Sequence, residues 1–113
     1  MGQKQHFLSR LAEADRRETE RRNVKLAGKI FYLKKGLRGY SSQDCMLLNI
    51  SEGGSMIKLV APSAVSEHFY LVIEGVQAKF PCVLIGKGGE TVNLRFAQDL
   101  PTSFIDQLAK PRF

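Results

Sequence analysis

Two short strings hold the residue types with the most chemical capacity in this chain. One is Arg16-Arg17-x-x-x-Arg21, with Arg22 adjoining, and the other is Asn49-Ile50-Ser51-Glu52-Gly53-Gly54. A guanidinium offers forked, planar donors that match two acceptors at once, either phosphate oxygens or the O6 and N7 edge of guanine. Lysine, a point charge, does not make that planar match. Asn and Ser supply short polar groups that pair with the opposite, amino-bearing edge of a guanine. Gly53 and Gly54 let the backbone turn sharply and let a flat ligand approach closely. Together the two strings describe a site for a guanine-containing phosphate ester. Each alone is ordinary. An Arg-rich polar run is usually a solvated helix face, here with Glu18 and Glu20 as neutralising neighbours, and Asn-x-Ser-x-x-Gly is usually a strand-to-turn transition.

Charge placement agrees with an anionic partner. The net charge is +6, and eleven of the seventeen Lys and Arg residues fall within residues 1–38, against four of the eleven acids. The basic excess therefore sits in the first third of the chain. Such asymmetry fits nucleic acid, an anionic membrane or a phosphorylated small molecule.

Other chemistries find little to stand on. Cys45 and Cys82 lie among apolar residues without a C-x-x-C pair, so they read as buried, reduced thiols rather than a zinc site. His6 and His68 have no evident Ser, Cys or carboxylate partner, and neither forms a triad or metal pattern. Gly86-Lys-Gly-Gly-Glu90 superficially resembles a phosphate cradle, but no helix follows it, and it reads as a hairpin turn. The expectation is a non-enzyme with no catalytic residues, no metal and no cofactor. No apolar run approaches the roughly 20 residues of a membrane span, and Met1 to Gln5 lacks an apolar signal core, so the cytoplasm is the expected compartment.

The elements that must position these groups follow from periodicity. Phe7, Leu8, Leu11 and Ala14 recur at helical spacing and predict a short amphipathic helix over 3–14. Residues 15–23 contain no apolar side chain and read as a surface linker or helical extension. From Val24 the period becomes two. Strands are predicted from Val24 to Leu33, Tyr40 to Ile50, Ser55 to Val60, Phe69 to Ile73, Val76 to Ile85 and Thr91 to Phe96. Exposed turns fall at Lys34–Gly39 and Gly86–Gly89, and Pro101 opens a short final helix carrying Phe104, Ile105 and Leu108. The turns are too short for crossover helices, so the sheet is antiparallel, in a small barrel or a sandwich.

The order and spacing of the two strings resemble the PilZ domain signature, RxxxR followed by (D/N)xSxxG. Here Arg17-x-x-x-Arg21 is followed 28 residues later by Asn49-x-Ser51-x-x-Gly54. The resemblance extends over about residues 15–98 through Gly28-Lys-Ile30, Cys45 and Asn93-Leu-Arg-Phe96. In the family the last string is more often Gly-Val-Arg-Phe-like, and a Trp frequent in the preceding strand is absent here. Those departures are expected to bear on packing at the barrel's far edge and not on the ligand groups.

The resemblance implies a mainly β fold, a six-stranded antiparallel β-barrel (PilZ-like, split barrel) with short N-terminal and C-terminal helices. The implied division is an N-terminal helix or tail (1–14), the barrel with its Arg-rich switch segment (15–100) and a C-terminal helix or tail (101–113). It implies a single-domain bacterial receptor for cyclic di-GMP. Arg17 and Arg21 would grip guanine edges and phosphates, and Asn49 and Ser51 would hydrogen-bond a guanine. Gly53 and Gly54 would keep the backbone close to the ligand. Arg16 occupies the place where an arginine accompanies binding of a stacked ligand dimer. Residues 15–23 would become ordered on binding and signal to a partner protein, a motility, envelope or polysaccharide-synthesis component. Two other readings compete: a protein-interaction adaptor that does not bind the nucleotide, and a basic nucleic-acid-binding barrel. A nucleic-acid reader needs stacking aromatics on one face, and neighbouring Phe69 and Tyr70 must point to opposite faces.

Overall fold

The computed structural model describes residues 21–33 and 39–110. The expected helix over 3–14, Arg16, Arg17 and most of the Lys34–Gly39 turn lie outside the described residues. Six strands follow one another: β1 (Arg22–Leu33), β2 (Tyr40–Ile50), β3 (Gly54–Leu59), β4 (His68–Ile73), β5 (Phe80–Gly88) and β6 (Thr91–Phe96). One turn of 3₁₀-helix at Pro62–Ala64 separates β3 from β4, and α1 (Thr102–Ala109) closes the described chain. Every pairing is antiparallel, and the strands close into a barrel in the order β1-β2-β3-β6-β5-β4, with β4 returning to β1. Closure leaves no free sheet edge. The barrel, rather than the sandwich, is the outcome.

Alternation builds the interior. Ile30 and Tyr32 of β1, Cys45 and Leu47 of β2, and Ile57 and Leu59 of β3 point inward with Leu71, Ile73, Cys82, Val92 and Leu94. Each such Ile or Leu, removed from water, contributes about 1.5–3 kcal/mol. Gly28 lets β1 and β4 approach closely, because a side-chain carbon there would meet the Val72 carbonyl oxygen at 2.7 Å. Helix α1 inserts Ile105 and Leu108 into the same core, and Phe104 stacks at a tilt on Phe80, 5.8 Å between ring centres.

Strand boundaries differ from the sequence reading at several points: β3 shifts by one residue to Gly54–Leu59, β4 starts one residue earlier at His68, and β1 and β5 differ more. β1 begins at Arg22 rather than Val24, so the end of the expected linker is already strand. β5 begins at Phe80, because Gly75, with φ at +88°, reverses the chain and Val76 N–H closes a turn onto Ile73. β5 also runs on through Gly86 to Gly88, since ladder pairing with Asn93, Val92 and Thr91 needs backbone only.

Candidate functional site

The described end of the first string, Arg21 and Arg22, meets the second string where β1 starts and β2 ends. Asn23 pairs with Asn49 and Arg22 with Ile50 in the β1–β2 ladder. Strict alternation would send Asn49 to the same face as Cys45 and Leu47, into the core. An irregularity at Leu48, between the Leu47–Ile57 and Asn49–Met56 pairs, changes the phase. Asn49 turns outward and Ile50 goes fully into the core, the re-aiming that bulges perform.

Asn49 is held by two donors. Met56 N–H gives a 3.0 Å hydrogen bond to its Oδ1, and Arg21 Nη1 gives another at 2.9 Å. Met56 N–H is a donor only, so the atom facing it must be the oxygen, which fixes the orientation of the amide. The Nδ2 group is therefore the end free to donate elsewhere. Alternation splits the neighbouring arginines. Arg21 lies on the outer face against Asn49, while Arg22 turns toward the barrel end, 3.6 Å from Glu52 and 3.1 Å from Asp106 of α1.

The turn after Asn49 is built from inside. Ser51 is 1% exposed; its Oγ accepts from Gly54 N–H at 3.2 Å and reaches the Gly54 carbonyl at 3.3 Å. Ser51 N–H donates to the same carbonyl at 2.8 Å. Gly54 has no room for a side chain, because a Cβ would collide with the Leu94 carbonyl of β6. The expected direct contact of Ser51 with a guanine thus differs from what its hydroxyl does here, which is to fix the turn. Gly54 serves the close β3–β6 approach. Gly53 is half-buried, and a Cβ there would meet only Asp99 Oδ1 at 3.7 Å.

Glu52, at a position the signature leaves unspecified, ties the turn to α1. Its carbonyl accepts Leu100 N–H at 2.8 Å, and the neighbouring Gly53 carbonyl accepts Phe96 N–H at 2.9 Å. Burial of its carboxyl favours the neutral form, but its own backbone N–H, the Thr102 hydroxyl and the Arg22 guanidinium outweigh that. The group is held below the usual carboxylate range. Arg22 Nη1 and Glu52 Oε1 are left without a close partner among the described residues, so the bridge satisfies each group only in part.

Sequence reasoning missed one residue of this face. Asn93 was expected to matter only for packing at the far edge. Instead it pairs with Met56, which pairs with Asn49, so it stands on the outer face in the same row. The available signal was its place between Val92 and Leu94, both buried, in an alternating strand.

His6 lies outside the described residues, and the two cysteines are buried. Cys45 is pushed up to about 12 by burial and the nearby Asp44 charge, and Cys82 to about 12 mainly by burial. Both are free, protonated thiols near neutrality. No group of three or more His, Cys, Asp or Glu among the described residues is placed to hold a metal ion. Phe69 is core and Tyr70 points outward, so the two form no common stacking face. No helix among the described residues is long and apolar enough to cross a membrane.

A closed antiparallel barrel here carries an arginine before its first strand that meets an Asn-x-Ser-x-x-Gly string beginning at the end of its second. The family model for the PilZ domain matches residues 15–110, and the chain belongs to that family, one of cyclic di-GMP-binding domains. No curated protein matches the chain.

Proposed function

We propose that this chain is a cyclic di-GMP receptor that passes ligand occupancy to a partner protein. The observation that carries the reading is the 2.9 Å hydrogen bond from Arg21 to Asn49, which joins two halves of the signature 28 residues apart. Arg21 there occupies one lone pair of Asn49 Oδ1 and Met56 N–H the other. The Arg21–Asn49 bond acts as a stand-in for ligand. When cyclic di-GMP arrives, Arg21 moves to a phosphate or a guanine O6/N7 edge, where a charge-assisted bidentate contact replaces a single neutral-acceptor bond. The vacated Asn49 then accepts from the amino-bearing edge of a guanine.

Arg16 and Arg17, five and four residues before Arg21 in the chain, complete the cationic clamp. Ser51 acts through the turn it braces, with Gly53 presenting the backbone and Gly54 holding β3 against β6. The switch segment ends at Arg21, since Arg22 and Asn23 belong to β1. Glu52 and Arg22 carry the change to α1, because both touch the ligand turn or its arginine neighbour and both bind the helix or its lead-in.

Isothermal titration of the full chain with cyclic di-GMP tests the reading. Saturable binding is expected, weakened about 10- to 100-fold in Arg21→Ala, as loss of a charge-assisted hydrogen bond predicts. Folded wild-type protein that gives no binding at high micromolar nucleotide would refute the assignment.

A further inference from the structure

The outer face next to Asn49 continues as an ordered row. Strand register places Asn23, Asn49, Met56, Asn93 and Gly86 side by side across β1, β2, β3, β6 and β5. Neighbouring strands lie about 4.8 Å apart, so Asn49 and Asn93 stand roughly 10 Å from each other with Met56 between them. Val92 is 0% and Leu94 1% exposed, which commits the Asn93 side chain to the outside. It is half-buried there, and no hydrogen bond among the described residues uses its carboxamide.

What lies beyond Asn93 is open. Gly86 carries no side chain, and nothing stands within 4 Å of where one would begin. The β5–β6 register shifts between Leu84 and Gly86, and Ile85, at that irregularity, is 55% exposed for a large apolar residue. The result is a shelf with a polar group at each end, a thioether in the middle and an apolar post beside an uncovered floor. A carboxamide carries an acceptor and two donors, and so matches the O6 and N1–H pair of guanine. A methionine beneath a ring gives a soft, polarisable contact. A ligand with two purines joined through phosphates is the chemistry that uses both ends at once.

We infer that Asn93 binds the second base of the dinucleotide, with Met56 under the ligand between the two bases and Ile85 at its edge. This rests on the receptor reading above. It assigns Asn93 to the base that Arg21 and Asn49 do not hold.

Titration calorimetry on the full chain separates the possibilities, with cyclic di-GMP and guanosine 5′-monophosphate as probes for wild type, Asn93→Ala, Asn93→Val and Arg21→Ala. Asn93→Val keeps a strand-favouring side chain without the carboxamide, so a folding defect in the alanine variant does not decide the outcome. The expected result is a loss of about 5- to 20-fold for cyclic di-GMP in both Asn93 variants, the size of one lost hydrogen bond with its partner left unpaired. The mononucleotide, filling only the Arg21–Asn49 half, should change by no more than about twofold in them, while Arg21→Ala weakens both probes. If the Asn93 variants bind cyclic di-GMP like wild type while Arg21→Ala does not, Asn93 is no ligand and the receptor reading stands. If they weaken mononucleotide and dinucleotide equally, the second-base assignment is wrong. If wild type binds neither, the receptor reading falls and takes this inference with it.

Discussion

Ser51-Glu-Gly-Gly54, between β2 and β3, and Gly86-Lys-Gly-Gly89, at the end of β5, are both glycine-rich strings, yet the first is buried and held by several elements while the second is mostly exposed and pairs its backbone with β6. In the first, Ser51, Glu52 and Gly54 are buried, and three backbone–backbone hydrogen bonds run from or to the turn (Ser51 to Gly54, Phe96 to Gly53, Leu100 to Glu52), with a further one from Gly54 N–H to the Ser51 hydroxyl. In the second, Lys87, Gly88 and Gly89 are exposed, and only Gly89, with φ at +57°, needs to be glycine for its backbone. Glycine content does not identify a functional turn. What separates the two is the number of independent elements that fix the backbone, and a binding turn must be fixed before a ligand arrives.

Substitutions along the two turns sharpen that contrast. The largest effect is expected at Gly54→Ala, where the new carbon strikes the Leu94 carbonyl on a neighbouring strand. About 3 kcal/mol of stability should be lost, a melting-temperature drop on the order of 10 °C or more, readable by calorimetry. A wild-type melting temperature in Gly54→Ala would mean that β3 and β6 are not held in this contact.

Glu52→Gln comes next and is read through pH. The carboxyl is held low in the folded protein, so its stabilising contribution is present above its unfolded-state pKa and is lost as pH falls through the lower folded value. Wild type should therefore melt above Glu52→Gln near neutrality, and the gap should close as the pH falls below the usual carboxylate range. A gap that is constant across this range would mean the carboxylate's charge does not tie the turn to α1.

Gly89→Ala should cost about 1 kcal/mol for its left-handed backbone, and Gly86→Ala, with open space around it, close to nothing. Thermal melts of the two variants check this. Equal losses at Gly54 and Gly86 would erase the distinction between the turns.

Much of the fold was legible because alternation is a strong local signal. Tyr40–Ile50 and Thr91–Phe96 were bounded correctly from apolar period and flanking glycines, and both signature strings were visible as residue types at a spacing. What escaped was phase. The consecutive apolar pair Leu47-Leu48 marks an extra residue in β2, but only the partner strands decide that Asn49 faces out and Ile50 in. The same dependence sends Arg21 to the outer face beside Asn49 and Arg22 to Glu52, although the two side chains are chemically identical. Gly54 read as room for a ligand, whereas its neighbour in space is a strand 40 residues later in the sequence, beyond local inference. Asn93 was assigned to packing at the barrel's far edge; in the barrel its strand, β6, lies beside β3.

The account stands on the Arg21 guanidinium and the Asn49 amide forming one site, so the most direct measurement is a double-mutant cycle on cyclic di-GMP affinity with Arg21→Ala, Asn49→Ala and both. The two changes should be strongly non-additive, with the double variant little weaker than the worse single one, because residues that share a partner couple by about 0.5–3 kcal/mol. Losses that simply add, or single variants that bind as tightly as wild type, would show that the two halves of the signature do not close on a common ligand.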